Sequence, residues 1–228
     1  MTQEKIWDYF QGEGLESFSG SVPRLRFLFQ KVFRTYGSRQ PKVLNIGVGN
    51  GWLESRCVGQ KWETYSLDPS DVAVGRVNRI GSVGALGHIE AMPYADKFFD
   101  VVFCSEVLEH LSNEQLSLGL KEVNRVLVKG GCLIGTVPFN EQLIDNQVVC
   151  PDCGKVFHRW GHLQSFGKAK LRASFEASSF EVIIISTYAF PDFSRRAIKD
   201  KIKSSARWFL GRIGSPIAQP NLFFIVKK

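Results

Sequence analysis

The chain has 228 residues, 44% of them hydrophobic and 12% aromatic, and a formal net charge of +7 at pH 7. That length supports one sizeable core, and the apolar content argues against a disordered or fibrous chain. No apolar run approaches the ~20 residues needed to cross a bilayer, and MTQEKIWDYF lacks the basic region and apolar core of a secretion signal, so the expected location is cytoplasmic.

Residues 1–40 precede the first strand pattern and read as a helical cap. Ile6, Trp7, Tyr9 and Phe10 form an apolar cluster, and a helix begins near Ser21 or Pro23 with Leu25, Leu28, Phe29, Val32 and Phe33 on one face. KVLNI then reads as a strand that runs into three glycines on alternate positions, Gly47, Gly49 and Gly51, and a short helix near Asn50 to Val58. WETYSLD is a second strand ending on Asp68, followed by a helix near Asp71 to Asn78 and a short segment near Ala85. FFDVVFC is a strand, Asn113 to Val128 a long helix, and CLIGTVP a strand after the Gly130 and Gly131 break. Further on, Lys168 to Ser178 has helical spacing, SFEVIIISTYAF is a strongly β-branched strand, and NLFFIVKK reads as a closing strand. Strands separated by helix-length segments need crossover connections. The expected class is therefore α/β with a mostly parallel sheet, in one domain over 1–228, with any ligand at the C-terminal strand ends.

Glycine has no Cβ and takes positive φ readily, so a strand that opens into alternate glycines lets a ligand lie against bare backbone. Asp68, at the end of the next strand, is placed to accept hydrogen bonds from two ribose hydroxyls. Of the five cysteines, Cys57, Cys104 and Cys132 fall inside apolar patterns, and the odd count favours reduced thiols. The other two open CPDCGKVFHRWGH, whose spacing places Cys150, Cys153, His158 and His162 as C-x2-C-x4-H-x3-H. Thiolate pairs and imidazoles suit tetrahedral zinc, and four protein ligands would make the site structural. A reduced, metal-free hairpin is the alternative for this segment over 144–165.

Between Arg195 and Arg212 seven basic residues (Arg195, Arg196, Lys199, Lys201, Lys203, Arg207 and Arg212) face one acid, Asp200. Ile198, Ile202, Ala206 and Phe209 share one helical stripe with Trp208 beside it, so 192–214 reads as a basic helical insertion. Its leading reading is a helix covering the core with a solvated charged face. A collar over an anionic substrate, or contact with a membrane surface or nucleic acid, are the sharper ones.

GVGNG, with GHIEAMPYADKFFDVVFCSEVLEHL and LKEVNRVLVKGGCLIGTVP after it, resembles the successive motifs of the class I S-adenosylmethionine-dependent methyltransferases, in order and spacing over residues 42–138. The resemblance implies a Rossmann-like, doubly wound sheet of seven mostly parallel strands, with an antiparallel last strand inserted beside the sixth and a small Cys/His hairpin added. It implies S-adenosylmethionine as cofactor and S-adenosylhomocysteine as product. Gly47, Gly49 and Gly51 would approach the methionine and ribose portions, and Asp68 would hold the ribose. Asn45 stands where the family often has an acidic residue, and His88 where it usually has an Asp near the adenine amino group. Ile89 and Glu90 flank that contact, and Cys104 and Ser105 should lie near the sulfonium. The N-terminal helices would cover the cofactor pocket, or else pack on the sheet edge. Glu109 and His110 are the candidate catalytic groups, with a structural or capping role at the helix start as the leading reading. The expected activity is methyl transfer to a small-molecule or carbohydrate-type acceptor. The alternatives are a lipid-linked or nucleic-acid substrate, or a catalytically silent cofactor-binding or partner-binding protein.

Overall fold

The computed structural model of the chain describes residues 3–12, 15–37, 39–190, 198–212, 215, 218 and 220–228. The strand patterns in the first half become five parallel strands: β1 (Lys42–Ile46), β2 (Glu63–Asp68), β3 (Val83–Leu86), β4 (Phe99–Ser105) and β5 (Leu127–Pro138). The helices flanking and linking them are α1 (Gln3–Gln11), α2 (Val22–Tyr36), α3 (Trp52–Gly59), α4 (Asp71–Ile80) and α5 (Asn113–Val126). The second half adds a hairpin of β6 (Gln147–Val149) and β7 (Val156–His158), then α6 (Lys168–Glu176), β8 (Glu181–Tyr188), α7 (Ile198–Arg212) and β9 (Asn221–Lys227). The seven-stranded sheet has the order β3-β2-β1-β4-β5-β9-β8, with β9 antiparallel to both of its neighbours. This is the Rossmann-like arrangement of the class I methyltransferases.

Both faces of the central strands are buried, which is why their sequences read as continuous apolar runs. Successive side chains point to opposite faces. Leu44, Val102 and Phe224 therefore join one core cluster, with Leu120 and Val123 of α5 and Phe175 of α6. Their neighbours Val43, Val101 and Phe223 join the other, with Leu28 and Val32 of α2 and Leu53 of α3. The start of α5 is fixed by reciprocal capping, Gln115 N–H to Ser112 Oγ and Ser112 N–H to Gln115 Oε1.

Two expectations change. β5 begins at Leu127, ahead of the Gly130 and Gly131 pair, because Phe99 pairs with Leu127 and Val101 with Cys132. The extra residues are absorbed as a kink inside the strand, with Gly130 at φ 78°. α7 also departs from the expected stripe, since Ile202 is 64% and Phe209 61% exposed. That helix is instead attached by Trp208 Nε1–H donating to Tyr188 Oη at 3.2 Å, and by Gly211 lying against Ala189. Arg195 and Arg196 lie outside the described residues, as do the side chains of Ile198, Lys199, Asp200, Lys201, Lys203, Arg207 and Arg212. Among the described residues no helix is long and apolar enough to cross a membrane.

Candidate active site

The turn after β1 carries Gly47, Gly49 and Gly51 at φ 81°, 56° and 77°. A Cβ on Gly47 would lie 2.7 Å from Val107 Cγ2, so bare backbone is a packing requirement there as well. Asp68, buried at the end of β2, accepts Val48 N–H through Oδ2 at 2.8 Å and Ser70 N–H through Oδ1 at 2.9 Å. Burial raises its carboxyl above the ordinary range, against the pull of those two N–H donors. Asn45 is turned inward. Its Nδ2 donates to Gly47 O at 3.2 Å and to Glu54 Oε1 at 2.7 Å, so it braces the glycine turn against a buried carboxyl from α3. Burial pushes Glu54 up to about 7 despite its bonds to Asn45 and Ser66.

The N-terminal elements lie across these strand ends. Arg76 of α4 donates to Gly49 O at 2.6 Å and to Gln11 Oε1 and O of α1 at 2.8 and 2.5 Å. Phe18 lies within van der Waals distance of the Gly49 Cβ position. Trp7 and Asp8 of α1, with Pro69 and His88, wall a cavity of about 200 Å³ next to Asp68. His88 thus lines this cavity. Ile89 is buried in the core, and Glu90 accepts Gln115 Nε2–H at 3.0 Å, on the side facing α5.

At the end of β4 the Cys104 thiol is fully buried in the core, so of the expected pair only Ser105 offers a side-chain polar atom. Ser105 belongs to a directed chain. Arg24 Nε–H donates to Ser105 Oγ at 3.0 Å, Ser105 lies 2.9 Å from Thr136 Oγ1, and Thr136 donates to Glu106 Oε1 at 2.8 Å. Asn221 Nδ2 also reaches both Glu106 oxygens, at 3.0 and 2.9 Å. Glu106 holds φ 57°, a conformation that a residue with a Cβ keeps only when its surroundings hold it there. Strand-and-turn reading of the sequence does not single out Glu54, Arg76, Arg24 or Glu106, because each acts on a partner from a distant element.

The four residues expected to share a metal are not brought together as one set. Cys150 and Cys153 sit in the turn of the β6/β7 hairpin, closed by Gly154 N–H to Cys150 O at 2.9 Å. His158 and His162 stack at 4.5 Å beside Glu141, and His162 meets His110 edge-on at 4.7 Å. Among the described residues two groups place potential ligand atoms within 4.8 Å of one another: Glu109, His110 and His162, and Glu141, His158 and His162. Neither contains a cysteine. His158 closes β7 and His162 lies in the loop after it. The carboxyl of Glu109 is pushed well up by burial and by nearby Glu106, and His110 is pushed down to about 3 by burial and His162. Burial would raise Glu141 as well, but the His162 hydrogen bond and the two imidazoles outweigh it and hold it below its ordinary value.

A groove of about 430 Å³ lies between α1 and the β6/β7 hairpin. Tyr9, Phe10, Phe157 and Trp160 give it aromatic walls, and Lys5 and Arg159 add positive charge. Phe10 and Trp160 meet across it with ring centres 5.2 Å apart.

Residues 44–135 match the family model described as a methyltransferase domain. A demethylmenaquinone methyltransferase of Chlorobaculum parvum is 35% identical over 99 residues, 42% of this chain and 40% of that protein. A malonyl-[acyl-carrier protein] O-methyltransferase of Erwinia pyrifoliae is 36% identical over 93 residues, 40% of this chain and 34% of that one. The chain thus spans well under two thirds of these relatives' lengths. Among solved structures, a chain from the complex of the Haloferax volcanii Trm112 methyltransferase activator with its methyltransferase aligns at a TM-score of 0.67 and 15% identity, covering 96% of both chains. The [4+2]-cyclase SpnF aligns at 0.66 and 16% identity, over 100% of this chain and 96% of its own, so the fold by itself does not decide the chemistry. The matched segment over residues 44–135 and the sheet topology are those of a methyltransferase domain with the Rossmann-like fold of the class I S-adenosylmethionine-dependent methyltransferases.

Proposed function

We propose that the chain methylates a small acceptor by direct in-line displacement, using S-adenosylmethionine and releasing S-adenosylhomocysteine. The observation that carries this reading is the pairing of three positive-φ glycines after β1 with the Asp68 carboxylate at the end of β2. The residues fit the cofactor: each Asp68 oxygen accepts one backbone N–H and keeps lone-pair capacity for a ribose hydroxyl, and the glycine turn offers backbone without Cβ atoms. Pro69, His88 and Trp7 would flank the adenine side. The bound cofactor supplies a methyl already activated by its sulfonium, so the protein mainly has to position the acceptor and exclude water. Ser105 and Glu106, fixed by Arg24, Thr136 and Asn221, would form the polar floor at the sulfonium end.

The candidate catalytic pair suits a supporting role. An imidazole pushed down to about 3 is a weak proton acceptor at neutral pH, and burial pushes the neighbouring Glu109 carboxyl well above its ordinary value.

The aromatic groove gives the acceptor side its chemistry. Four rings with Lys5 and Arg159 favour a planar or apolar body bearing an anionic group, and such rings also stack against sugar faces. A relative named for malonyl-[acyl-carrier protein] methylation favours a small acceptor over a nucleic acid, and one named for demethylmenaquinone, a lipid-soluble quinone, favours the lipid reading. A lipid-linked acceptor is the second reading, supported by the exposed Ile202 and Phe209 on α7. The test is transfer of labelled methyl from S-adenosylmethionine into a cell extract separated into polar, lipid, nucleic-acid and protein fractions. Label in the polar fraction is expected. Label confined to lipid selects the second reading, and none in any fraction points to a silent cofactor-binding protein.

A further inference from the structure

Helix α7 is attached to the sheet through one side, where Trp208 donates to Tyr188 and Gly211 is buried against Ala189. Another side carries Ile202, Ala206 and Phe209 at helical spacing, and all three are exposed. Bulky apolar side chains aligned on one helix face and left in water mark a surface that meets another apolar phase.

The sequence frames that stripe with cations. Counted along the helix, the positions of Lys199, Lys203 and Arg207 follow one margin of the stripe and those of Lys201 and Arg212 the other, and Asp200 is the only acid between Arg195 and Arg212. An apolar centre with basic margins is the pattern of a helix lying in a bilayer interface, its apolar residues below the headgroups and its cations among them. Among the described residues no helix is long and apolar enough to cross a membrane, so the geometry is in-plane. Other occupants fit this face less well. A nucleic acid would set phosphates against two bulky apolar side chains, and a second copy in two-fold contact would set the same cations against one another.

The fold also places this face near the crevice. Tyr188, which anchors α7, pairs with Asn221, and Asn221 bonds Glu106 just after β4. Pro138, from which the chain leaves for the β6/β7 hairpin, pairs with the same Asn221, and the hairpin exposes Val149 and Val156 on paired positions. Two insertions that leave neighbouring strand ends thus both present apolar side chains to the surroundings.

We propose that α7 docks in-plane on the surface of an anionic lipid bilayer, with Ile202, Ala206 and Phe209 inserted and the flanking Lys and Arg residues at the lipid phosphates. Docking through α7 brings the crevice end of the sheet to the bilayer. The contact does not depend on methyl transfer or on which acceptor is used.

The test is co-sedimentation of the full chain with vesicles of phosphatidylcholine and phosphatidylglycerol, compared with phosphatidylcholine alone, at low and high salt. Binding is expected on the anionic vesicles, about tenfold or more weaker on the neutral ones, and weakening as salt rises. The Lys199→Gln, Lys201→Gln, Lys203→Gln triple variant should bind about 100-fold more weakly, at roughly fivefold per cation. The Ile202→Ser, Phe209→Ser double variant should lose about tenfold or more. Circular dichroism verifies folding, and the double variant, which changes only exposed side chains, keeps the proposal open to refutation if the triple misfolds. Three results would overturn it: equal binding to neutral and anionic vesicles, no binding to either, or a double variant that binds as tightly as wild type. Binding to an oligonucleotide without binding to vesicles, or self-association that the double variant abolishes, would likewise give the face to another occupant and overturn it.

Discussion

Asn45 donates to Glu54 at 2.7 Å directly behind the glycine turn, so the floor of the candidate cofactor site rests on a buried carboxyl pushed up to about 7. A group whose folded pKa lies above its unfolded value stabilises the fold fully below the unfolded value of 4.5, and that contribution is lost as pH rises through about 7. The shift corresponds to about 3 kcal/mol. In Glu54→Gln the carboxyl cannot ionise while its Oε1 can still accept from Asn45 and Ser66. Chemical denaturation at pH 4 and pH 8 should show the variant gaining about that much on wild type at the higher pH. A stability difference independent of pH would remove Glu54 from the account.

Gly47→Ala should destabilise the protein by about 2 kcal/mol or more, because the new methyl meets Val107 at 2.7 Å and the residue must keep φ 81°. Its denaturation midpoint measures this, and a midpoint equal to wild type would show that the turn relaxes freely.

Arg76→Met should detach α1 from the glycine turn by removing its bonds to Gly49 O and Gln11. Cofactor affinity measured by calorimetry should fall about tenfold, the equivalent of one charged hydrogen bond. Limited proteolysis should also cut within residues 3–12 sooner. Unchanged affinity would mean that the N-terminal segment packs on the fold without shaping the site.

Trp160→Ala should raise the KM for the acceptor several-fold while leaving cofactor affinity untouched, since Trp160 lines the groove and is absent from the walls around Asp68. A change in cofactor affinity with no change in KM would move the acceptor elsewhere.

The sheet, and the placement of the glycine turn beside Asp68, were legible in the sequence because both are written locally. Apolar runs of strand length, helix-length spacers and alternate glycines fix the parallel order, and Asp68 follows as the end of β2. The rest depends on contacts between distant segments. The Cys150 to His162 spacing suggested one cluster, but the hairpin leaves the cysteines in its turn and carries His158 to the far end of β7, opposite Gln147. His162 then meets Glu141 from the loop after β5 and His110 from the turn after β4, two partners that no periodic pattern announces. Exposed Ile202 and Phe209 make the same point for α7: the stripe is visible in the sequence, and the surface it faces is not.

The most direct measurement of the central claim is calorimetric titration of S-adenosylmethionine into wild-type and Asp68→Ala protein. The account predicts one equivalent bound by wild type and affinity at least tenfold weaker in the variant, which loses the ribose acceptor together with the bonds to Val48 and Ser70. Equal affinity in the two proteins, or no binding by wild type, would contradict the assignment of this crevice as the cofactor site.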